Sequence, residues 1–302
     1  LSAAYPDMQF QFCSEQAGLK EAIADADIYM GWLNRDVFLA AKKLKWIQSP
    51  SSGTNMYLAI PELVAGDCIV TSASGTHGAC LAEHTFALIF AFTRGIRHFV
   101  LHQKNRYWAA RDLRSSMLEV TGSTMGIVGF GAVGRAIAKR AAAFDLNIVA
   151  VDMFPKDKPD YVARLSGLDG LDDLLATSDY VVVTVPYTDQ THGMIGAEQI
   201  AKMKPSAMLV GISRGGIIDQ DALAAALTEG RLAAGALDVC VPEPLPAESP
   251  LWDVPNLLIT PHIAGGTQYE GRNIINIFTE NLGRLVRGEL PLRNQVDKKL
   301  GF

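Results

Sequence analysis

At 302 residues the chain is longer than one hydrophobic core usually sustains, so two domains are expected. An apolar fraction of 49% with 20% charged residues excludes a disordered chain. The net charge of -5, with acids and bases interspersed, lacks the basic footprint of a nucleic-acid or anionic-membrane binder, which leaves small-molecule chemistry as the expectation.

Cys13, Cys68, Cys80 and Cys240 match neither CxxC metal pairs nor a disulfide framework, so a reducing cytoplasm and no metal are expected. The longest apolar run, residues 86–92, falls far short of the roughly 20 residues a membrane span requires, and no leader opens the chain, so neither export nor embedding is expected.

In chain order, short apolar runs alternate with helix-length amphipathic stretches, the rhythm of βαβ units around a parallel sheet. Strands are expected at 8–13, 27–32, 45–48 and 68–72. Apolar residues then recur at helical spacing from 80 to 105, interrupted by Gly95, which reads as one long helix or two nearly continuous ones crossing into a second domain. That domain should carry strands at 124–130, 147–152, 179–185, 207–212, 233–239 and 256–260, the six of a full dinucleotide-binding unit. A polar-faced helix over 268–287 follows and returns the chain to the first domain. The expected division is therefore a discontinuous domain of residues 1–93 and 268–302 around a second of residues 94–267.

The strand at 124–130 runs into Gly129-Phe130-Gly131-Ala132-Val133-Gly134 and then an alanine-rich helix over 135–144, the context that makes a GxGxxG turn informative. Gly129 allows the tight turn, Gly131 lets the backbone approach a pyrophosphate, and Gly134 lets the helix pack on its strand. Asp152 closes the next strand, where an acid bonds the adenosine ribose hydroxyls and repels a 2′-phosphate. No arginine follows it in Met153-Phe154-Pro155-Lys156, so NAD is expected over NADP.

Three reactive side chains follow strands of the same domain, on the side where such sheets bind ligands: Arg214 after 208–213, Glu243 after 237–239, and His262 after 258–261. Each alone is an ordinary surface residue. As a set they are the guanidinium, carboxylate and imidazole that carbonyl reduction needs. The other histidines read as structural: His84, His98 and His102 along the long helix and His192 in a loop. His77, in the turn before the helix, is the one placed to line a cleft between domains.

The chain resembles the D-isomer-specific 2-hydroxyacid dehydrogenase family through GFGAVGRAIA, VPYTDQTHGMI, MKPSAMLVGISRGGIID, LAAGALDVCVPEPLP, LWDVPNLLITPHIAGGT and the closing NQVDKKLGF. The resemblance implies two doubly wound α/β domains, a Rossmann NAD-binding domain and a smaller, discontinuous flavodoxin-like substrate domain. It implies that Arg214 anchors the substrate carboxylate and polarises the carbonyl, that His262 is the general acid/base, and that Glu243 orients it and stabilises the imidazolium. It assigns Val185, Pro186, Ile212, Ser213 and Gly265 to the cofactor lining, Asp238 to the nicotinamide carboxamide, and the loop carrying Ser52 and Gly53 to the substrate carboxylate. A two-fold homodimer through the long helix and the arm near Trp108 is implied as well. Family members usually open with a short strand, whereas this chain begins at Leu1-Ser2-Ala3-Ala4-Tyr5-Pro6, already at the first helix by the same resemblance.

The expected activity is NAD-dependent interconversion of a small 2-oxo acid with the D-2-hydroxy acid, glyoxylate/hydroxypyruvate reductase-like, and the residues leave glyoxylate, hydroxypyruvate, pyruvate and larger 2-oxo acids all open as substrates. Formate dehydrogenases share the pattern but carry glutamine at the position of Glu243. An NADH-sensing or corepressor-type binding protein on the same scaffold is the alternative from another class.

Overall fold

Alternation of buried side chains along parallel strands decides which helices cover which face of this chain, seen here in a computed structural model that describes residues 1–13, 16–108 and 113–302, with residues 16 and 17 as backbone alone. The chain divides into two compact units, residues 1–76 with 267–302, and residues 77–266.

The first unit begins with α1 (Gln16–Ile23), β1 (Ile28–Met30), α2 (Arg35–Ala40), β2 (Trp46–Gln48), α3 (Asn55–Leu58), α4 (Pro61–Ala65) and β3 (Ile69–Thr71). Its parallel sheet has the order β1-β2-β3, aligning Ile28 with Trp46 and Trp46 with Ile69. Two expectations fail here. Residues 8–13 alternate polar and apolar side chains yet form no strand, because Phe10 and Phe12 are exposed and the segment pairs with nothing in the sheet. Residues 1–6, assigned to a first helix, are turns.

The second unit contains α5 (Gly78–Thr93), α6 (Ile96–Lys104), β4 (Thr124–Val128), α7 (Ala132–Ala143), β5 (Asn147–Val151), β6 (Arg164–Ser166), α8 (Leu171–Thr177), β7 (Tyr180–Val183), α9 (Ala197–Ala201), β8 (Met208–Gly211), α10 (Gln220–Thr228), β9 (Ala234–Leu237) and β10 (Leu257–Ile259). The strands form one parallel sheet, β10-β9-β8-β7-β4-β5-β6. It has seven strands where six were expected; β6 has no apolar run to announce it. Met125, Ile127, Ile148, Ala150, Val182 and Val210 pack against α5 and α7, while Val128, Val149, Val181, Val183 and Leu209 pack against α8, α9 and α10. This is the doubly wound arrangement, with order reversing between β4 and β7.

Because α5 packs along α7, it belongs to the larger unit, and the division falls at residue 76 where 93 was expected. Gly95 ends the expected long helix by adopting φ 63°, and α6 turns away by 67°. Among the described residues no single helix is long and apolar enough to cross a membrane.

The closing helix α11 (Glu270–Val286) returns to the first unit and buries Ile274, Ile277, Phe278, Asn281 and Leu282 along one stripe. Phe278 stacks on Trp46 at 5.2 Å. Trp46 donates to Thr71, Thr71 to Gln48, and Asn281 to both Gln48 and the Arg293 carbonyl, so the buried polar groups that tie the helix to the sheet satisfy one another.

Gly126, inside β4, lets α8 approach the sheet: a Cβ there would fall on Ser178 Oγ and Leu174. Gly126→Ala should lower stability by about 1–3 kcal/mol, the usual cost of overpacking, seen as a reduced Tm by circular dichroism. An unchanged Tm would contradict this close packing.

Candidate active site

Each candidate residue of the larger unit follows the carboxyl end of a strand. Gly129 follows β4, with φ 96° and no room for a Cβ beside Thr184 and Val185, the residues that follow β7. Gly134, in the first turn of α7, lies so close to the glycine turn that a Cβ would strike Gly129 O. Of the three, Gly131 alone faces open space, with nothing within 4 Å of the point a Cβ would occupy, and its backbone together with Ala132 and Val133 forms the amino terminus of α7. A diphosphate approaching the backbone at a helix amino terminus needs this arrangement. Asp152 follows β5 and accepts from Phe130 N at 2.6 Å and Phe154 N at 2.8 Å, which fixes its carboxylate at the rim of the turn with lone pairs left for ribose hydroxyls. The donor set therefore fits a dinucleotide.

Across the switch point, Val185 is buried and Pro186 exposed after β7, and Ile212 is buried and Ser213 half-buried after β8. Arg214 is half-buried and donates Nη1 to Ser213 O at 2.6 Å. Burial pulls its guanidinium below the ordinary value, and the Glu243 carboxylate opposes that pull.

Glu243 and His262, nineteen residues apart, meet through a 2.7 Å bond between Oε2 and Nδ1. The other carboxylate oxygen accepts from Cys240 N at 3.0 Å. Ionised Glu243 only accepts, so Nδ1 carries the proton and Nε2 is left to exchange one. Side-chain exposures of 44% and 37% make this pair worth no more than ~1 kcal/mol to stability, so its consequence is orientation.

His262 itself stands in the left-handed region at φ 51°, a conformation that costs a residue with a side chain on the order of 1–3 kcal/mol. Asp238, only 1% exposed, holds it there. The Asp238 carbonyl accepts from His262 N at 2.8 Å; its carboxylate accepts from Thr260 Oγ1 at 2.6 Å, Ile263 N at 3.0 Å and Ala264 N at 2.9 Å. The residues on both sides of His262 are thus pinned to one buried carboxylate.

Sequence reasoning missed two supports. Gly215 packs its Cα on Cys240 O, where any side chain would clash, which seats the Arg214 segment on the Glu243 segment. Gln220, at the start of α10, both donates to Val241 O at 2.6 Å and accepts from Val241 N at 3.0 Å, clamping the same loop. The Gly-Gly pair after Arg214 was the available signal for the first; a lone glutamine offered none for the second. Cys240, buried beside Glu243 and Asp238, has its thiol pushed up to about 11, chiefly by burial. His77 is buried ahead of α5, next to Gly265. In the first unit, Gly53 N donates to Ser51 Oγ at 3.2 Å and Ser52 Oγ reaches Ala73 O at 3.4 Å, so the loop after β2 is held by its own serines.

The family described as D-isomer specific 2-hydroxyacid dehydrogenase, NAD binding domain, matches residues 86–264. The D-3-phosphoglycerate dehydrogenase of Methanocaldococcus jannaschii is 35% identical over 296 residues, 94% of this chain and 55% of that protein. The glyoxylate reductase of Korarchaeum cryptofilum is 34% identical over 279 residues, 90% of this chain and 83% of that protein. A solved structure of the NADPH-dependent glyoxylate/hydroxypyruvate reductase of Sinorhizobium meliloti, in complex with NADP and sulfate, superposes with a TM-score of 0.85 at 27% identity, covering 96% of this chain and 90% of that one. The chain spans about half the length of the phosphoglycerate dehydrogenases it matches. With the glycine turn, Asp152, Arg214, Glu243 and His262 all inside the matched residues, this chain belongs to the D-isomer-specific 2-hydroxyacid dehydrogenase family and carries its NAD-binding domain.

Proposed function

We propose that this chain is an NAD-dependent reductase that interconverts a small 2-oxo acid, of the glyoxylate or hydroxypyruvate class, with the D-2-hydroxy acid. The 2.7 Å bond between His262 Nδ1 and Glu243 Oε2, beside Arg214 and a dinucleotide turn, carries this reading. The glyoxylate reductases among its relatives support the substrate class. A cytoplasmic setting belongs to the same reading.

The nicotinamide supplies the hydride when bound. Gly129, Gly131, Gly134 and Asp152 would hold its diphosphate and ribose, and the protein's own steps concern the substrate. Arg214 bonds the carboxylate and faces the carbonyl oxygen as negative charge develops there, an interaction that strengthens toward the transition state. His262 gives its Nε2 proton to that oxygen and keeps the Nδ1 proton on Glu243, so the ring stays aligned as it becomes neutral. Ser52 and Gly53, in the loop after β2 of the first unit, are assigned to the substrate carboxylate through their backbone amides.

His262→Gln should cost at least ~100-fold in kcat while leaving NADH affinity nearly intact, and Arg214→Lys should raise KM for the 2-oxo acid and lower kcat together. The assay is NADH oxidation against a panel of 2-oxo acids. Wild-type protein that binds NADH but reduces none of them would favour the sensing role instead.

NADH should support turnover far better than NADPH, because the Asp152 carboxylate would lose its ribose bonds and face an extra phosphate. Asp152→Ala should narrow the gap mainly by weakening NADH. Comparable kcat/KM for the two cofactors in the wild type would overturn this reading of the β5 terminus.

The same reading includes a homodimer. Of the apolar side chains expected to carry it, Phe86, Leu88 and Ile89 are buried in the core of the larger unit, whereas the following helix α6 buries none of its residues and exposes Ile96, Val100 and Leu101, which a second copy of the chain would cover. Light scattering at micromolar concentration should return twice the 32.6 kDa chain mass. A monomer would contradict the assignment.

A further inference from the structure

His84 sits in the middle of α5, on a stretch whose apolar spacing reads as core, and nothing in the reaction described above uses it. Its side chain is 20% exposed, and Nε2 lies 3.0 Å from Thr260 Oγ1 and 3.6 Å from Asp238 Oδ1. The direction of this chain of bonds follows from the acceptors. The Thr260 hydroxyl is 2.6 Å from Asp238 Oδ1, and an ionised carboxylate only accepts, so the hydroxyl proton points to Asp238. Thr260 Oγ1 must then accept from His84, which places a proton on Nε2. A threonine hydroxyl is free to rotate about its C–O bond; the carboxylate acceptor and the imidazole donor together leave it one orientation.

We propose that His84 is a positioning residue for the proton-transfer pair: its Nε2–H holds the Thr260 hydroxyl onto Asp238 and thereby fixes the left-handed turn on which His262 stands. The proposal rests on the reductase reading for its consequence in turnover. Thr260 lies two residues before His262, and Ile263 and Ala264 lie directly after it; all three bond the Asp238 carboxylate. Without the donor from α5, the Thr260 hydroxyl keeps only its bond to Asp238, and the segment ahead of His262 loses its attachment to the helix. The imidazole then departs from the 2.7 Å alignment with Glu243. Reaction rate is sensitive to such departures, since a 1 Å misplacement can cost on the order of 100-fold.

The test compares His84→Ala, His84→Gln, Thr260→Val and the His84→Ala/Thr260→Val double variant. Glutamine reaches about as far as histidine and presents an amide N–H near the position of Nε2. His84→Ala and Thr260→Val should each lower kcat by roughly 10- to 100-fold with a much smaller change in KM, the double variant should be no worse than either single one, and His84→Gln should recover most of the rate. Crystal structures of the wild type and His84→Ala provide the readout that does not depend on turnover: in the variant, His262 should leave the left-handed region or lose its bond to Glu243. A His84→Ala protein with a lowered Tm but wild-type kcat and an unmoved His262 would overturn the proposal, as would fully additive losses in the double variant. If the wild type reduces no 2-oxo acid, the reductase reading fails, and the position of His262 in the two structures still decides the role of His84.

Discussion

A carboxylate with almost no access to water organises the chemistry of this protein. Leaving Asp238 buried and unpaired would cost several kcal/mol, so the chain must bring donors to it. The donors it brings are the Thr260 hydroxyl and the amides of Ile263 and Ala264, and the residue enclosed between them is His262. Satisfying the buried charge and forcing His262 to φ 51° are therefore one event. The strain of the left-handed residue is offset locally, by bonds that form only when the turn is in place.

The sheet determines why these groups meet at all. All seven strands run parallel, so every strand-to-loop junction that follows a carboxyl end opens on the same edge, and the order reversal between β4 and β7 leaves room there. Arg214, Asp238 and the histidine turn come from β8, β9 and β10, widely spaced in sequence and neighbours in the sheet, while Asp152 follows β5 at the same edge on the far side of the switch point. Gly215 and Gln220 then join the loop after β8 to the loop after β9, so the guanidinium and the Glu243 carboxylate share one support.

Much of this was legible because it is written in periodicity and glycine placement. The strands β4, β5, β7, β8 and β9 are continuous apolar runs, and Gly129, Gly131 and Gly134 occupy positions where side chains would clash or close the turn. What failed to show has physical reasons. Residues 8–13 have strand periodicity without a partner, and pairing decides a strand. The β6 strand has partner bonds without periodicity, since Arg164-Leu165-Ser166 lies at the sheet edge. His84 falls on the apolar spacing of a core helix, and only the fold brings it to a threonine 176 residues away. Asp238 was read for its expected contact with the nicotinamide carboxamide, and the three internal donors its carboxylate also serves come from a turn more than twenty residues away that only the fold brings to it.

A crystal structure of the protein with NADH and oxamate, an unreactive 2-oxo acid analogue, tests the central claim most directly. The account predicts the carbonyl oxygen of oxamate within hydrogen-bond distance of both His262 Nε2 and the Arg214 guanidinium, with Nδ1 still on Glu243 and His262 still left-handed. Oxamate bound away from these two groups, or His262 turned with Nε2 toward Glu243, would contradict it.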